Sequence, residues 1–207
     1  MLGATGTAGQ ATLAALLNAG HRVICLIRPR SAIPKGFDLA EFRVCDITDP
    51  KSLRQDGLRG DVFDAVVSCL ASRSGLPADA WAIDHDVHQT VLSIAKDTGI
   101  AQMVLLSAIC VQKPKLEFQK AKLAFEQALT SSGLTYSIVR PTAFFKSLSG
   151  QFERVKQGKP FLVFGDGQLT ACKPISDRDL GQFIARCLVE PELQNRVLPI
   201  GGPGPAL

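Results

Sequence analysis

The segment that decides the fold is GATGTAG at residues 3–9, a G-x-x-G-x-x-G pattern leading into a helix expected from Gln10 onward. Glycines at this spacing let the backbone turn tightly and approach a pyrophosphate, whose charge is met by amides at a helix N-terminus. A glycine triplet alone is common, but this one heads a strand–helix–strand unit, which favours a dinucleotide site. The pyrophosphate is then expected to contact Gly3, Thr5, Gly6, Thr7, Ala8 and Gly9.

A helix–glycine–strand unit recurs outward from that turn. Amphipathic helices are expected at 11–19, 87–98 and 120–132, and each is followed by a glycine and an apolar strand, at 22–27, 102–107 and 135–140. Glycine just past a helix is a usual C-terminal cap, and continuous apolar strands are buried on both faces. Further strands are expected at 42–45, 64–69, 161–164 and 196–200, and a late helix capped by Ser176. The alternation predicts the α/β class, with a Rossmann-type, doubly wound parallel sheet.

The domain organisation follows from the same pattern. We expect one NAD(P)-binding domain over residues 1–207, with 141–207 contributing a small lobe on the substrate side. Only Met1 and Leu2 precede the glycine turn, and the chain stops soon after a strand-like segment. We therefore expect a truncated first strand and an incomplete C-terminal lobe. In the doubly wound order the first strand is central, so its loss would leave unpaired ladder groups on two neighbours.

Composition excludes several classes of protein. The chain has 207 residues, a net charge of +4 and 46% hydrophobic residues, which is typical of one globular domain rather than a disordered chain. Its six cysteines form no C-x-x-C pair and lie mostly in apolar runs, which indicates a reducing compartment. Its apolar stretches are shorter than the roughly 20 residues that span a bilayer. Without Lys/Arg runs, nucleic acid is not an expected partner. The sequence does not indicate an oligomeric state.

The choice of dinucleotide depends on the end of the strand at 22–27. An acidic residue there would bind the 2′-hydroxyl of NAD, but this chain has Arg28-Pro29-Arg30. A guanidinium makes charge-assisted, bidentate hydrogen bonds with a 2′-phosphate. NADPH is therefore the expected cofactor, with Arg28 and Arg30 at its 2′-phosphate. The alternative is that both arginines are solvated loop charges.

Two later strand ends extend the expected groove, because ligands lie beyond the carboxyl ends of parallel strands. Asp46 and Ile47 are placed beside the adenine, although Asp46 could equally be a turn or cap residue with Asp49-Pro50. The nicotinamide and its ribose are placed beside three residues after the strand at 64–69: Leu70, Ala71 and Ser72.

The candidate chemistry lies after the strand at 102–107. Ser107 ends that strand, and the next helix carries Phe118 and Lys122 at the spacing of the Tyr-x-x-x-Lys of short-chain dehydrogenases. The phenol is missing, and Tyr136 lies on a strand, so it cannot replace it. Lys122 is expected to hydrogen-bond the nicotinamide ribose. The alternatives are a surface role for Lys122, a strand-capping role for Ser107 and a packing role for Phe118.

Two other clusters are ambiguous. The sequence Asp84-His85-Asp86 with His88 resembles a metal-ligand cluster, but a solvated helix face is favoured because no further ligand set is evident. Four aromatic residues either line an apolar substrate cavity or belong to the core: Phe144, Phe145, Phe161 and Phe164.

Longer blocks carry a more specific resemblance. They are LLSAICVQKP at 105–114, FQKAKL at 118–123, LTYSIVRPTAFFKSL at 134–148, LTACKPIS at 169–176 and LPIGGPG at 198–204. Together they resemble the divinyl chlorophyllide 8-vinyl reductases, which are atypical short-chain dehydrogenases of the NmrA-like kind. The resemblance covers almost the whole chain, apart from a short segment between Arg30 and Glu41 and the two ends.

This resemblance implies an NADPH-dependent reduction of the 8-vinyl group of divinyl chlorophyllide or protochlorophyllide to ethyl, within chlorophyll biosynthesis. The compartment would be the chloroplast in a plant or alga and the cytoplasm in a phototrophic bacterium. Two alternatives remain, a non-catalytic NmrA-like NADP(H) sensor and a reductase of another conjugated alkene.

The resemblance also accounts for Phe118. Reducing a carbonyl builds negative charge on one oxygen, which calls for an acid, whereas a tetrapyrrole macrocycle can delocalise the charge from a reduced vinyl group. We expect Ser107 and Thr142 to flank the reacting face, with Pro141 and Thr142 beside the cofactor. Candidates for the substrate propionate are Lys113, Lys146 and Lys173.

Overall fold

The computed structural model describes residues 1–163, 166 and 173–204 and contains one parallel sheet. Its strands are β1 (Ile24–Ile27), β2 (Glu41–Val44), β3 (Ala65–Ser68), β4 (Gln102–Leu106), β5 (Thr135–Pro141) and β6 (Arg196–Ile200). They pair in the order β2-β1 and β3-β4-β5-β6, in parallel throughout. Leu2 joins the two parts, because it forms parallel bridges with both Leu26 and Ser68. The predicted doubly wound α/β sheet is confirmed.

The two residues before the glycine turn, Met1 and Leu2 (the stub), occupy the central position of the sheet. Leu2 N donates to Val67 O at 2.9 Å, and Cys69 N donates to Leu2 O at 3.0 Å. On the other side, Leu26 N donates to Met1 O at 2.9 Å. Met1 and Leu2 therefore supply hydrogen-bond partners to both neighbouring strands, β1 and β3. The loss of strand pairing that the short first strand predicts does not reach the ends of β1 and β3 that lead into the loops of the site.

Helices cover both faces of the sheet. They are α1 (Thr7–Asn18), α2 (Pro50–Ser52), α3 (Pro77–Ala80), α4 (Val87–Asp97), α5 (Glu117–Thr130), α6 (Phe145–Lys156) and α7 (Asp177–Arg186). A π-helical segment, Leu53–Leu58, follows α2, and another, Trp81–Asp86, joins α3 to α4. Short 3₁₀ segments lie at Ile109–Gln112 and Pro191–Leu193.

The predicted helix ends are confirmed at three glycines. Gly20, Gly99 and Gly133 follow α1, α4 and α5 with φ of +83°, +76° and +86°, a conformation that glycine adopts without steric cost. Ser176 caps α7 as expected, since its Oγ accepts from Asp179 N at 3.0 Å. By contrast, α1 begins at Thr7 rather than Gln10, because the extended Gly6 serves as its N-cap.

The core is divided between the two faces of the sheet. On one face, Leu13 of α1 and Ile184 of α7 pack with Val104 and Val139. On the other face, α4 and α5 contribute Leu92, Phe125 and Leu129. All four residues of β1 are buried, which explains its unbroken apolar run. The cysteines in such runs act as small hydrophobes, and the described ones, Cys25, Cys45, Cys69, Cys110 and Cys187, are free. Cys172 lies outside the described residues.

The segment expected as a strand at 161–164 differs from the prediction. Residues 161–163 are exposed and are not in a strand, and Phe164 lies outside the described residues. Their apolar sequence resembles a buried strand, but Phe161 and Val163 are each 58% exposed. Among residues 1–163, 166 and 173–204, no helix combines the length and apolar character of a membrane span, and no three side chains form a metal-ligand cluster.

Candidate active site

The candidate site residues gather at one edge of the sheet. Because all strands are parallel, their carboxyl ends meet there. The residues that follow these ends are Gly3 after the stub, Arg28 after β1, Asp46 near the end of β2, Leu70 after β3, Ser107 after β4, Thr142 after β5 and Gly201 after β6. The predicted cofactor and catalytic residues therefore lie along the same edge.

Glycine occurs at the three positions of the turn for different structural reasons. Gly3 has φ +75°, and a Cβ there would lie 2.5 Å from the Cys69 carbonyl carbon. A Cβ on Gly9 would lie 2.0 Å from Gly3 O. At Gly6, however, φ is −78° and the nearest atom to an added Cβ is 3.6 Å away, an ordinary contact. The fold itself requires glycine at Gly3 and Gly9 but not at Gly6, which leaves close approach of a ligand as the physical reason for Gly6.

The helix that follows this turn presents its amides at the same place. The amides of a first helical turn have no intrahelical acceptor, and here they belong to Thr7, Ala8 and Gly9. A side chain from α6 adds charge, because Lys146 Nζ donates to Thr7 Oγ1. The turn, the amides and the ammonium together fit a pyrophosphate.

Arg28 and Arg30 are both exposed at the end of β1. Arg30 has φ +64°, and the turn closes with Ser31 N donating to Arg28 O at 3.1 Å. Hydrogen bonds from Ser74 and from the Arg73 amide lower the pKa of Asp79. The nearby Arg28 cation lowers the pKa of Asp79 further. Both guanidiniums are thus available to a ligand at the strand end.

At the next strand end, Asp46 acts within its own loop. Its Oδ1 accepts from Thr48 N at 2.9 Å and from Thr48 Oγ1 at 2.6 Å, and these bonds lower the pKa of Asp46. Asp49 caps α2 by accepting from Lys51 N at 3.0 Å. The turn interpretation of Asp46 therefore has direct geometric support, and Ile47 is buried beneath it.

Lys122 lies in a buried polar cluster that the sequence did not reveal. Its Nζ lies 2.9 Å from Asp84 Oδ1, and its side chain is 11% exposed, which excludes the surface interpretation. The other Asp84 oxygen accepts from Ser72 Oγ at 2.6 Å. The cluster thus connects helix α5 with the loop after β3, the two elements assigned to the nicotinamide ribose.

A second buried polar pair lies next to this cluster. His88 Nδ1 donates to Ile83 O at 2.9 Å, so Nε2 is the acceptor for Ser68 Oγ at 2.7 Å. Burial lowers the pKa of His88 to about 4, and the Lys122 cation contributes. The prediction of a solvated face was wrong for His88 and Asp84, which are each 1% exposed. The helix places them toward α5 and β3, so only His85 and Asp86 keep partly or largely exposed positions.

Ser107 offers an unused polar group at the edge of the sheet. Its amide donates to Val139 O at 2.7 Å, but its Oγ is buried without a partner among the described residues. A buried hydroxyl without a partner is costly, so a bound ligand is a natural partner. Thr142, after β5, donates its Oγ1 to Lys173 O, and Thr142 N donates to Ile200 O at 2.9 Å.

The aromatic candidates separate into different environments. Phe118 is half-buried on α5. Tyr136 lies near the start of β5, about 17 Å of strand from Pro141, so it is far from the site edge. Phe144 packs against the core, whereas Phe145 and Phe161 are each 58% exposed, which rules out a core role for those two. Among the lysines proposed for a propionate, Lys113 and Lys173 are exposed.

Comparisons with known proteins show the family and the fold of this chain. The model of the NAD(P)H-binding family matches residues 3–191. A chloroplastic divinyl chlorophyllide a 8-vinyl-reductase of Zea mays is 50% identical over 99% of this chain and 55% of its own length. One from Arabidopsis thaliana is 49% identical over 100% of this chain and 54% of its own length. The chain thus spans just over half the length of these curated relatives.

The chain is also similar, at lower sequence identity, to proteins with other names. A photosystem II assembly factor Ycf39 of Cyanophora paradoxa is 28% identical over 98% of this chain and 62% of its own length. Among solved structures, a UDP-glucose 4-epimerase of Thermotoga maritima superimposes with a TM-score of 0.83 and 18% identity, over 99% of this chain and 77% of its own. An NADPH-dependent quinone oxidoreductase of Escherichia coli complexed with NADPH has a TM-score of 0.75 and 19% identity, over 97% and 68%.

Proposed function

Because the chain belongs to the NAD(P)H-binding family, we propose that it is an NADPH-dependent reductase that converts the 8-vinyl group of divinyl chlorophyllide, or protochlorophyllide, to ethyl. The observation that carries this proposal is the 49–50% identity, over 99–100% of the chain, with four proteins named divinyl chlorophyllide a 8-vinyl-reductase. Those relatives are named as chloroplastic, which supports a role in chlorophyll biosynthesis inside a chloroplast.

Different residues at the sheet edge bind different parts of the cofactor. The first-turn amides of α1 and the Lys146 ammonium bind the pyrophosphate, with Gly6 leaving room for its approach. Arg28 and Arg30 bind the 2′-phosphate, which makes NADPH the preferred dinucleotide. Ser72 and Lys122 enclose the nicotinamide ribose. When bound, NADPH supplies the hydride for the reaction.

The chain's own residues orient and polarise the reacting groups. Lys122, fixed by its ion pair, hydrogen-bonds the ribose and so sets the position of the nicotinamide ring. Ser107 Oγ and Thr142 flank the reacting face. The vinyl group gains hydride at its terminal carbon and a proton at the adjacent carbon, which together reduce one double bond. The macrocycle delocalises the intervening charge, so Phe118 does not need a phenol to stabilise an alkoxide.

Exposed residues that follow β4 and β5 form the substrate side. Phe145 and Phe161 are exposed large apolar side chains, suited to a flat pigment. Lys113 and Lys173 are exposed cations suited to its propionate. Lys146 was a third candidate for the propionate, but its contact with Thr7 favours the cofactor phosphates.

The proposal is tested by incubating the protein with NADPH and divinyl chlorophyllide and following the Soret band. We expect a blue shift with consumption of NADPH. Lys122→Ala should abolish most of the turnover or the NADPH affinity, while Phe118→Ala should chiefly lower thermal stability. NADPH binding without turnover would favour a sensor, and turnover only with another conjugated alkene would replace the substrate.

A further inference from the structure

A single carboxylate joins the two elements that are proposed to enclose the nicotinamide ribose. Asp84 Oδ1 accepts from Lys122 Nζ at 2.9 Å and from Ser72 N at 3.3 Å, and Oδ2 accepts from Ser72 Oγ at 2.6 Å. Lys122 lies on α5 and Ser72 in the loop after β3, so the carboxylate connects two separate elements of the proposed site. Both carboxylate oxygens are used, and the side chain has no exposed surface.

The segment that carries Asp84 is fixed to α5 at a second point. Trp81 Nε1 donates to Glu117 Oε2 at 2.9 Å, five residues before Lys122 on the same helix. Trp81 is the first residue of the π-helical segment Trp81–Asp86, and Asp84 lies three residues further along it. Two contacts, Trp81 with Glu117 and Asp84 with Lys122, therefore hold this segment against α5.

The energetics favour a dedicated role for this arrangement. A buried ion pair gives weak net stability, since the desolvation of two charges offsets their attraction. Its partners are nevertheless held in one geometry, because leaving either charge unpaired is costly. A lysine side chain otherwise has many rotamers, and ordering it before a ligand arrives removes that cost from binding.

We propose that Asp84 is a positioning residue of the cofactor site, which holds the Lys122 ammonium and the Ser72 loop in the geometry that receives the nicotinamide ribose. This inference rests on the proposed cofactor site of Lys122. Asp84 itself touches no cofactor and acts through Lys122 and Ser72.

A double-mutant cycle tests this role through the dissociation constant of NADPH, measured by the fluorescence of the bound nicotinamide. Asp84→Asn keeps the shape but removes the charge, and we expect at least tenfold weaker binding. Lys122→Met should have an effect of similar size. In the Lys122→Met protein, adding Asp84→Asn should change the constant less than twofold, because interacting residues are not additive.

Asp86→Asn is the matched control, since Asp86 lies two residues along the same segment with its side chain 68% exposed. We expect binding within twofold of the unaltered protein. Ser72→Ala is a second, milder variant that removes the hydrogen bond from Ser72 Oγ to Asp84 and retains the ion pair; we expect about threefold weaker binding, a smaller loss than in Asp84→Asn.

Unchanged binding in Asp84→Asn, or fully additive losses in the double variant, would overturn the inference, as would a larger loss in Ser72→Ala than in Asp84→Asn. The proposed substrate is tested separately. An unaltered protein that binds NADPH but leaves divinyl chlorophyllide unreduced would count against that substrate, whereas the cycle of binding constants would still decide the role of Asp84.

Discussion

Lys146 of α6 donates a hydrogen bond to Oγ1 of Thr7, the first residue of α1, across 139 positions of sequence. The contact places an ammonium beside the helix end that is proposed to bind the pyrophosphate. It also connects the segment that follows β5 with the glycine turn, so that α6 borders the cofactor groove.

Lys146→Ala should therefore weaken NADPH and NADH to the same extent, by about tenfold, because both dinucleotides contain the pyrophosphate. Titration of each dinucleotide at two salt concentrations measures this effect. Lys156→Ala, which removes an exposed lysine paired with Glu153 on the same helix, should change neither constant. A raised KM for the tetrapyrrole with unchanged dinucleotide affinity would instead assign Lys146 to the propionate.

Gly6→Ala should separate ligand binding from folding. The added methyl group meets only an ordinary 3.6 Å contact, so the thermal midpoint should be nearly unchanged, while NADPH affinity falls at least tenfold. Gly9→Ala should instead lower the midpoint, because its Cβ would lie 2.0 Å from Gly3 O. Gly6→Ala protein that binds NADPH normally would remove this turn from the pyrophosphate site.

Arg28→Asp should weaken NADPH by tenfold or more while changing NADH much less, since only NADPH has a 2′-phosphate. Parallel titrations with the two dinucleotides give the ratio. Arg22→Asp, on an exposed arginine before β1 with its side chain 79% exposed, is the control and should alter neither. Equal losses for both dinucleotides in Arg28→Asp would show that Arg28 does not contact the 2′-phosphate.

His88 should make stability depend on pH. Its pKa is lowered to about 4 in the folded protein from an ordinary value near 6.5, so the unfolded chain binds the extra proton between these values. Stability is therefore fully present above about pH 6.5 and decreases as the pH falls toward 4. Between pH 7.5 and 5, the unaltered protein should lose about 2 kcal/mol more than His88→Gln.

Urea unfolding at the two pH values measures that difference. His85→Gln is a suitable control, because it removes a partly exposed imidazole three residues away and leaves the buried His88 in place, so the pH dependence that His88 contributes should remain. The same pH dependence in His88→Gln and in the unaltered protein would contradict a neutral, buried His88.

The fold was largely predictable because its signals are local. A glycine after each helix and an apolar run in each strand are short-range patterns, and they placed α4, α5, β4 and β5 within a few residues. The prediction of a strand at 161–164 was wrong for residues 161–163, which lie on the surface. An exposed apolar run has the same sequence pattern as a buried strand.

The polar cluster of the site was not predictable, because its partners are distant in sequence. Asp84 and Lys122 are separated by 38 positions, and a run of aspartate and histidine has the composition of a solvated helix face. A π-helical segment also changes which residues face the sheet, so helical periodicity misplaces them. The spacing of Phe118 and Lys122 was the only local signal for this part of the site.

In the proposed reaction, reduced dinucleotide at this sheet edge delivers hydride to the 8-vinyl group. The most direct measurement uses NADPH carrying deuterium at both C4 positions of the nicotinamide, with mass spectrometry and NMR of the product. We expect one deuterium per molecule, in the methyl group of the new 8-ethyl side chain. An ethyl product without deuterium, or no reduction despite bound NADPH, would contradict it.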